Sequence, residues 1–296
     1  MKAIFRYRLA RFRGQILGWG IGLALMGLLL VQIYGTVAAQ QDQFEQLLQS
    51  YPEDMMAFFG GFDEFTSPSG YLGIEFFSYM PLILGIFGVL MGSGLLSSDE
   101  EAGRLDLIMA YPISRTALFL GRALAFVVAT LAILALSWAG IAVPSTWSAL
   151  DVGWLALAWP FLSLFAVIIL FGALALFLSQ WLPSRRMSAM ATGLLLVASF
   201  FIIGFARLNT DLEPFAKLSP LYYYQGGEAL EGLNLSWFLG LLAVSLLFGV
   251  LAWWRFQRRD IRVGGEGGWE RSGLSWLWRR GKSKLRGNPK PEGTLA

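Results

Sequence analysis

No cysteine and no histidine occur among the 296 residues. The first absence excludes disulfides, thiolate nucleophiles and cysteine-ligated metals. The second excludes Ser-His-Asp chemistry and every histidine-based metal site. Charge is also sparse, with Asp, Glu, Lys and Arg making up 15% of the chain and leaving long stretches untouched. An aspartyl dyad would need two buried acids in mid-membrane, and Glu75 stands alone at one end of an apolar stretch. The chain is therefore read as a non-enzyme that binds no cofactor or metal of its own.

What is present is apolar. Aliphatic and aromatic residues make up 56% of the sequence, and the mean hydropathy is +0.57. Six stretches carry it: Gln15–Thr36, Ile74–Leu96, Ala117–Val143, Gly153–Ser179, Ala189–Ala206 and Leu235–Trp254. A helix needs about 20 residues to cross the hydrocarbon core. The expected fold class is an all-α polytopic membrane protein with six transmembrane helices, leaving no room for a separate soluble catalytic domain.

Positive charge is one-sided. If the six stretches cross in turn, 21 of the 23 Lys and Arg fall on the side of the termini, and only Arg207 and Lys217 fall opposite. The positive-inside rule places both termini in the cytoplasm. The isoelectric point near 9.2 reflects basic residues that flank spans. It points to orientation and anionic membrane lipid, and not to nucleic acid. A bacterial inner membrane fits the absent cysteines and the Gly/Ala/Leu-rich spans.

Four segments outside the spans carry information. Met1–Gly14 is read as an amphipathic helix lying in the cytoplasmic interface, with Phe5, Leu9 and Phe12 on one side and Arg13 on the other. The acidic outer segment 37–73 predicts short helices at 41–49 and 53–59. The outer stretch 207–234 contains Pro220, Tyr222, Tyr223, Tyr224 and Glu228. It is too short to span, and is read either as re-entrant short helices or as an aromatic belt on an ordinary loop. The tail 263–296 mixes Trp269, Trp276 and Trp278 with basic residues and reads as a membrane-hugging, partly disordered cytoplasmic segment. Within the spans, Gly18–Gly22 and Gly88–Gly92 have the small-xxx-small spacing that lets helix backbones approach.

The most specific segment is the first cytoplasmic loop, Ser97–Arg115. Ser98 and Glu101 have capping-box spacing, and the acids Asp99, Glu100 and Glu101 suit a helix N-terminus. Leu105, Ile108 and Met109 form an apolar stripe at helical spacing. Tyr111-Pro112 ends the element, because the residue before proline is pushed out of the helical region. A short capped helix with an exposed apolar stripe suits docking into a partner's groove; the other reading is a linker on the membrane surface.

Asp99-Glu100-Glu101-Ala102-Gly103-Arg104-Leu105-Asp106, followed by Pro112-Ile113-Ser114-Arg115 and Gly121-Arg122, resembles the loop of type-2 ATP-binding-cassette (ABC) transporter permeases. Ser219-Pro220 with Tyr222–Tyr224, and the exit Arg258-Arg259-Asp260-Ile261, look like that family too. The resemblance covers residues 1–262 as one permease domain. Arg104 stands where threonine is usual, and Arg122 where lysine is common. The resemblance implies a permease subunit of an ABC exporter, paired with a second permease subunit as homodimer or heterodimer. Each would dock one of two ABC ATP-binding subunits, which hold the ATP and Mg. Glu100, Glu101, Arg104, Leu105, Ile108, Met109, Pro112, Ser114 and Arg115 would form the coupling helix. Pro220, Tyr222, Tyr223, Tyr224 and Glu228 would belong to re-entrant helices acting as an outer gate. The cargo would be drug-like, lipid-like or otherwise amphipathic. The chain itself lacks a phosphate-binding loop: Gly281-Lys282-Ser283 has Trp276 where the upstream glycine is required. A secondary transporter and a non-transporting scaffold are the alternatives. The nearly uncharged spans, without a charged relay, weigh against the former.

Overall fold

The computed structural model describes residues 1–40 and 67–259. The helices expected at 41–49 and 53–59, and the basic tail, lie outside the described residues. Among the described residues six candidate spans are present: Lys2–Ala39, Pro68–Ser93, Arg115–Ser145, Trp154–Ser179, Arg185–Leu208 and Leu235–Arg258. In chain order the α-helices are α1 (Lys2–Ala39), α2 (Pro68–Leu72), α3 (Met80–Ser93), α4 (Ser97–Glu101), α5 (Leu105–Met109), α6 (Arg115–Ser145), α7 (Trp154–Ser179), α8 (Arg185–Leu208), α9 (Glu213–Ala216) and α10 (Leu235–Arg258). A π-helical turn, Gly73–Phe77, sits between α2 and α3, and tight 3-10 turns cover Pro220–Tyr223 and Gly227–Leu230.

The fourth span, α7, is the central post. Its most apolar window has a mean hydropathy of 2.9 and is 67% buried, against 22% or less for α1, α8 and α10. A helix that is apolar all round belongs inside a bundle. On α7 lie α3, α10, α6 and α8, while α1 runs along α6. The α3–α7 contact depends on Gly88 and Gly92. A Cβ on Gly92 would fall 2.0 Å from the Gly172 carbonyl oxygen, and one on Gly88 would fall 2.8 Å from that of Ile168. Gly88–Gly92 therefore works as its spacing predicts, within one chain. Gly18 and Gly22 do not; both are exposed with nothing near them. The glycines of α1 that meet α6 are Gly20 and Gly27, against Leu136 and Ile141.

The N-terminal segment also differs from expectation. It is not a separate interfacial helix. α1 runs unbroken from Lys2 to Ala39, about 57 Å at 1.5 Å per residue, with no proline to break it. Its apolar side is turned on the protein. Phe12 is buried, Phe5 and Leu9 pack against the core, and Ile4 meets Gly121 of α6. Arg13 is exposed.

Candidate functional site

Both ends of the bundle carry chemistry. One end is rich in arginine and holds α4, α5 and both ends of the described chain. The other is rich in tyrosine.

At the arginine end, the expected single helix is two. α4 is closed off by Gly103, two residues past its end, whose φ is +63°. Its N–H reaches the Glu100 carbonyl at 3.0 Å, and the Arg104 N–H reaches the Asp99 carbonyl at 2.8 Å. This is a Schellman ending, which satisfies the last carbonyls and needs a left-handed residue that glycine supplies cheaply. The capping box does not form. The Ser98 hydroxyl donates back to the Gly94 carbonyl, and Leu96 occupies the cap position without a side-chain bond.

The loop acids are used elsewhere. Asp99 takes Arg104 on Oδ1 at 2.8 Å and Arg122 of α6 on Oδ2 at 2.8 Å. Asp99 and Arg122 are each 5% exposed. Burial by itself would raise the Asp99 carboxyl. The Arg104 hydrogen bond and the charges of Arg122 and Arg8 outweigh it and hold the group below its ordinary 3.8. Glu100 accepts from Arg259, just past α10, at 2.5 Å, with both side chains buried. Glu101 Oε1 accepts the backbone N–H of Arg185 at 2.6 Å, covering the first turn of α8. A carboxylate is well placed at a helix N-terminus.

Arginines meanwhile take up carbonyls where helices end. Arg185 donates to Leu90, Arg8 to Gly94 and Arg122 to Leu95, at 3.2, 3.2 and 2.7 Å. Arg115 Nη1 donates to the carbonyls of Phe256, Gln257 and Arg259 at 3.1, 3.2 and 2.7 Å. The last carbonyls of a helix have no intrahelical donor and carry partial negative charge, so guanidinium groups suit them. Ser114 caps α6, accepting from the Ala117 N–H at 3.2 Å. The loop and the stretch leading into it are thus bonded to α1, α6, α8 and the end of α10.

The apolar stripe faces the opposite way from the expected docking surface. Leu105 is 1% exposed, and Ile108 and Met109 pack on the core. Leu107 at 67% and Tyr111 at 69% face solvent, together with Arg104, Asp106 and Pro112. The structure brings Glu100, Glu101, Ser114 and Arg115 together as bonds within the chain and leaves Arg104 and Pro112 accessible. Sequence reasoning passed over Leu107, because the i, i+3, i+4 rule finds the buried side. It also left Asp99, Arg8, Arg122, Arg185 and Arg259 without partners.

At the tyrosine end, Pro81 sets the geometry. Lacking an N–H, it cannot bond the Phe77 carbonyl four residues back. The Tyr224 hydroxyl donates to that carbonyl instead, at 3.0 Å. Burial pushes the Tyr224 phenol above its ordinary range. Gly227 presses on Gly73 and Ser69; a Cβ there would fall 2.3 Å from the Ser69 carbonyl oxygen. The Gln225 N–H donates to Ser163 Oγ at 2.8 Å, in the third turn of α7. Pro220 opens its 3-10 turn at the first or second position, as a residue with fixed φ can. Tyr222, Tyr223 and Trp237 form an aromatic cluster, with ring centroids 5.3, 6.0 and 5.7 Å apart. Beneath them is a cavity of about 730 Å³ between the second span, α8 and the segment 213–231, and Tyr222, Tyr224 and Glu228 line it.

Six apolar helices, one of them a central post, with a bonded loop at one end and a walled cavity at the other, define a multi-pass membrane protein. A family model described as multidrug efflux system permease Rv1217c, C-terminal domain, matches residues 5–257. The chain belongs to that family and is a membrane permease of an efflux system. A comparison with curated proteins found no match.

Proposed function

We propose that the chain is the permease subunit of a type-2 ABC exporter, with the arginine-rich end in the cytoplasm of a bacterial cell and α4–α5 as the coupling element. The observation that carries the reading is the bonding of this loop. It engages α6, α8 and the end of α10 through side chains, with Arg8 of α1 bonded to Gly94 just before it, yet presents Leu107 and Tyr111 to solvent. A push on that exposed face is delivered to three helices at once. ATP and Mg belong to two separate ATPase subunits, and nucleotide-driven closure supplies the bias between two arrangements of the spans. A second permease subunit completes the path. Pro220–Glu231 closes its outer side as a re-entrant gate, a role supported by how deeply Gln225 reaches along α7. Such non-helical backbone is tolerated at membrane depth where protein satisfies its polar groups, as Ser163 does for the Gln225 N–H.

The test is co-purification in mild detergent. The wild-type chain is expected to bring down a stoichiometric ATP-binding-cassette ATPase. Leu107→Asp with Tyr111→Ala is expected to lose it while unfolding at an unchanged temperature, since exposed substitutions shift stability by about 0.5 kcal/mol or less. Retention of the ATPase by the folded double variant would remove the coupling role. Leu105 is the wrong probe, because truncating a buried leucine costs about 2–5 kcal/mol by itself.

A further inference from the structure

From the cavity at the tyrosine end we infer a site for an amphipathic organic cation, with Glu228, Glu231 and Trp237 setting the preference for positive charge. This deepens the permease reading and rests on it for the direction of movement. The cavity of about 730 Å³ lies within the range of roughly 300–1,000 Å³ that holds drug-sized ligands.

Its lining combines two features that favour the same ligand. The charged lining residues are three carboxylates, Glu213, Glu228 and Glu231, against one guanidinium, Arg207. Lys217 takes Glu213 at 2.8 Å, and Glu228 acts electrostatically on Arg207. Glu231 has no ion-pair partner among the described residues, so negative charge is left over. The second feature is aromatic. Phe77, Tyr222 and Trp237 line the same space, and the Tyr222–Tyr223–Trp237 cluster is the kind of π-rich surface that attracts cations carrying apolar substituents.

A metal ion is the poorer fit, since no group of three acidic side chains lies close enough to hold one among the described residues. An anion meets surplus carboxylate. The long-range field agrees. By the orientation proposed above, the outer face of the sequence holds twelve acids and two basic residues. Such a face lowers the electrostatic barrier for a cation leaving the apolar path.

The experiment uses two ions of one shape and opposite charge, tetraphenylphosphonium and tetraphenylborate. Binding to the purified full chain in lipid nanodiscs is measured by equilibrium dialysis, with empty nanodiscs subtracted. The cation is expected to bind at least about tenfold more tightly than the anion, and Glu228→Gln with Glu231→Gln to weaken it about tenfold. Arg207→Gln is expected to tighten it, a gain that misfolding cannot mimic. Equal binding of the two ions, binding of neither, or cation binding unmoved by these substitutions would overturn the assignment. The outcome is separable from the exporter reading. Charge-selective binding without an ATPase partner leaves the site standing and removes ATP coupling; an ATPase partner without charge selectivity does the reverse.

Discussion

The two ends of this bundle are held by different forces. At the arginine end, Asp99, Glu100 and Glu101 meet Arg122, Arg259 and the α8 N-terminus through charge-assisted bonds of 2.5–2.8 Å. At the tyrosine end, glycine contacts and neutral hydrogen bonds do the joining: Gly73 on Gly227, Tyr224 to Phe77 and Gln225 to Ser163. Charge-assisted bonds are roughly twice as strong as neutral ones and are directional. In the proposed exporter they suit an end that passes force between helices without coming apart. Packing with weaker bonds leaves room for a cavity and suits the opening end of the proposed exporter.

Breaking the strongest contact at each end tests that contrast. Asp99→Ala leaves Arg122 buried and opposed by no carboxylate, and should cost about 3–5 kcal/mol, read as a fall in the thermal midpoint in detergent. The pair also has a pH signature. The Asp99 carboxyl is held below its ordinary 3.8, so its contribution is present above that pH and is lost as pH falls through the lower folded value. Wild type should therefore lose stability relative to Asp99→Asn in acid, and parallel curves would show that the pair contributes nothing. Next in size is Gly92→Ala in the α3–α7 seam between the two ends. The added carbon collides with the Gly172 carbonyl, for about 1–3 kcal/mol in the same melt. The smallest effect belongs to the tyrosine end. Tyr224→Phe strands the Phe77 carbonyl, which Pro81 cannot serve, at about 1 kcal/mol. A Tyr224→Phe loss as large as that of Asp99→Ala would erase the distinction between the ends.

Much of the fold was legible in the sequence because hydrocarbon imposes a length. The fourth span was expected at Gly153–Ser179 and is Trp154–Ser179; the sixth, expected from Leu235, begins there. Where the reading failed, a local rule met a tertiary competitor. Ser98 followed by Glu101 satisfies the capping-box spacing, but the Gly94 carbonyl and the Arg185 N–H lay closer in space. Leu105, Ile108 and Met109 form a helical stripe, but periodicity identifies an apolar side without saying what covers it. Here the bundle itself does. Met1–Gly14 has the pattern of an interfacial helix, and α6 supplied the apolar surface that lipid was expected to provide.

The sequence by itself determined the number of candidate spans, the backbone approach at Gly88–Gly92 and the absence of histidine and cysteine chemistry. Those follow from composition and from spacing along one helix. Only the tertiary structure decided which arginine meets which acid, that Leu107 and Tyr111 are the exposed face of the loop, and that Tyr224 serves the carbonyl freed by Pro81. Such pairings join residues up to 159 positions apart, as Glu100 and Arg259 show. Charge and hydrogen-bond partners are chosen by distance in space, and one chain's spacing carries no record of that choice.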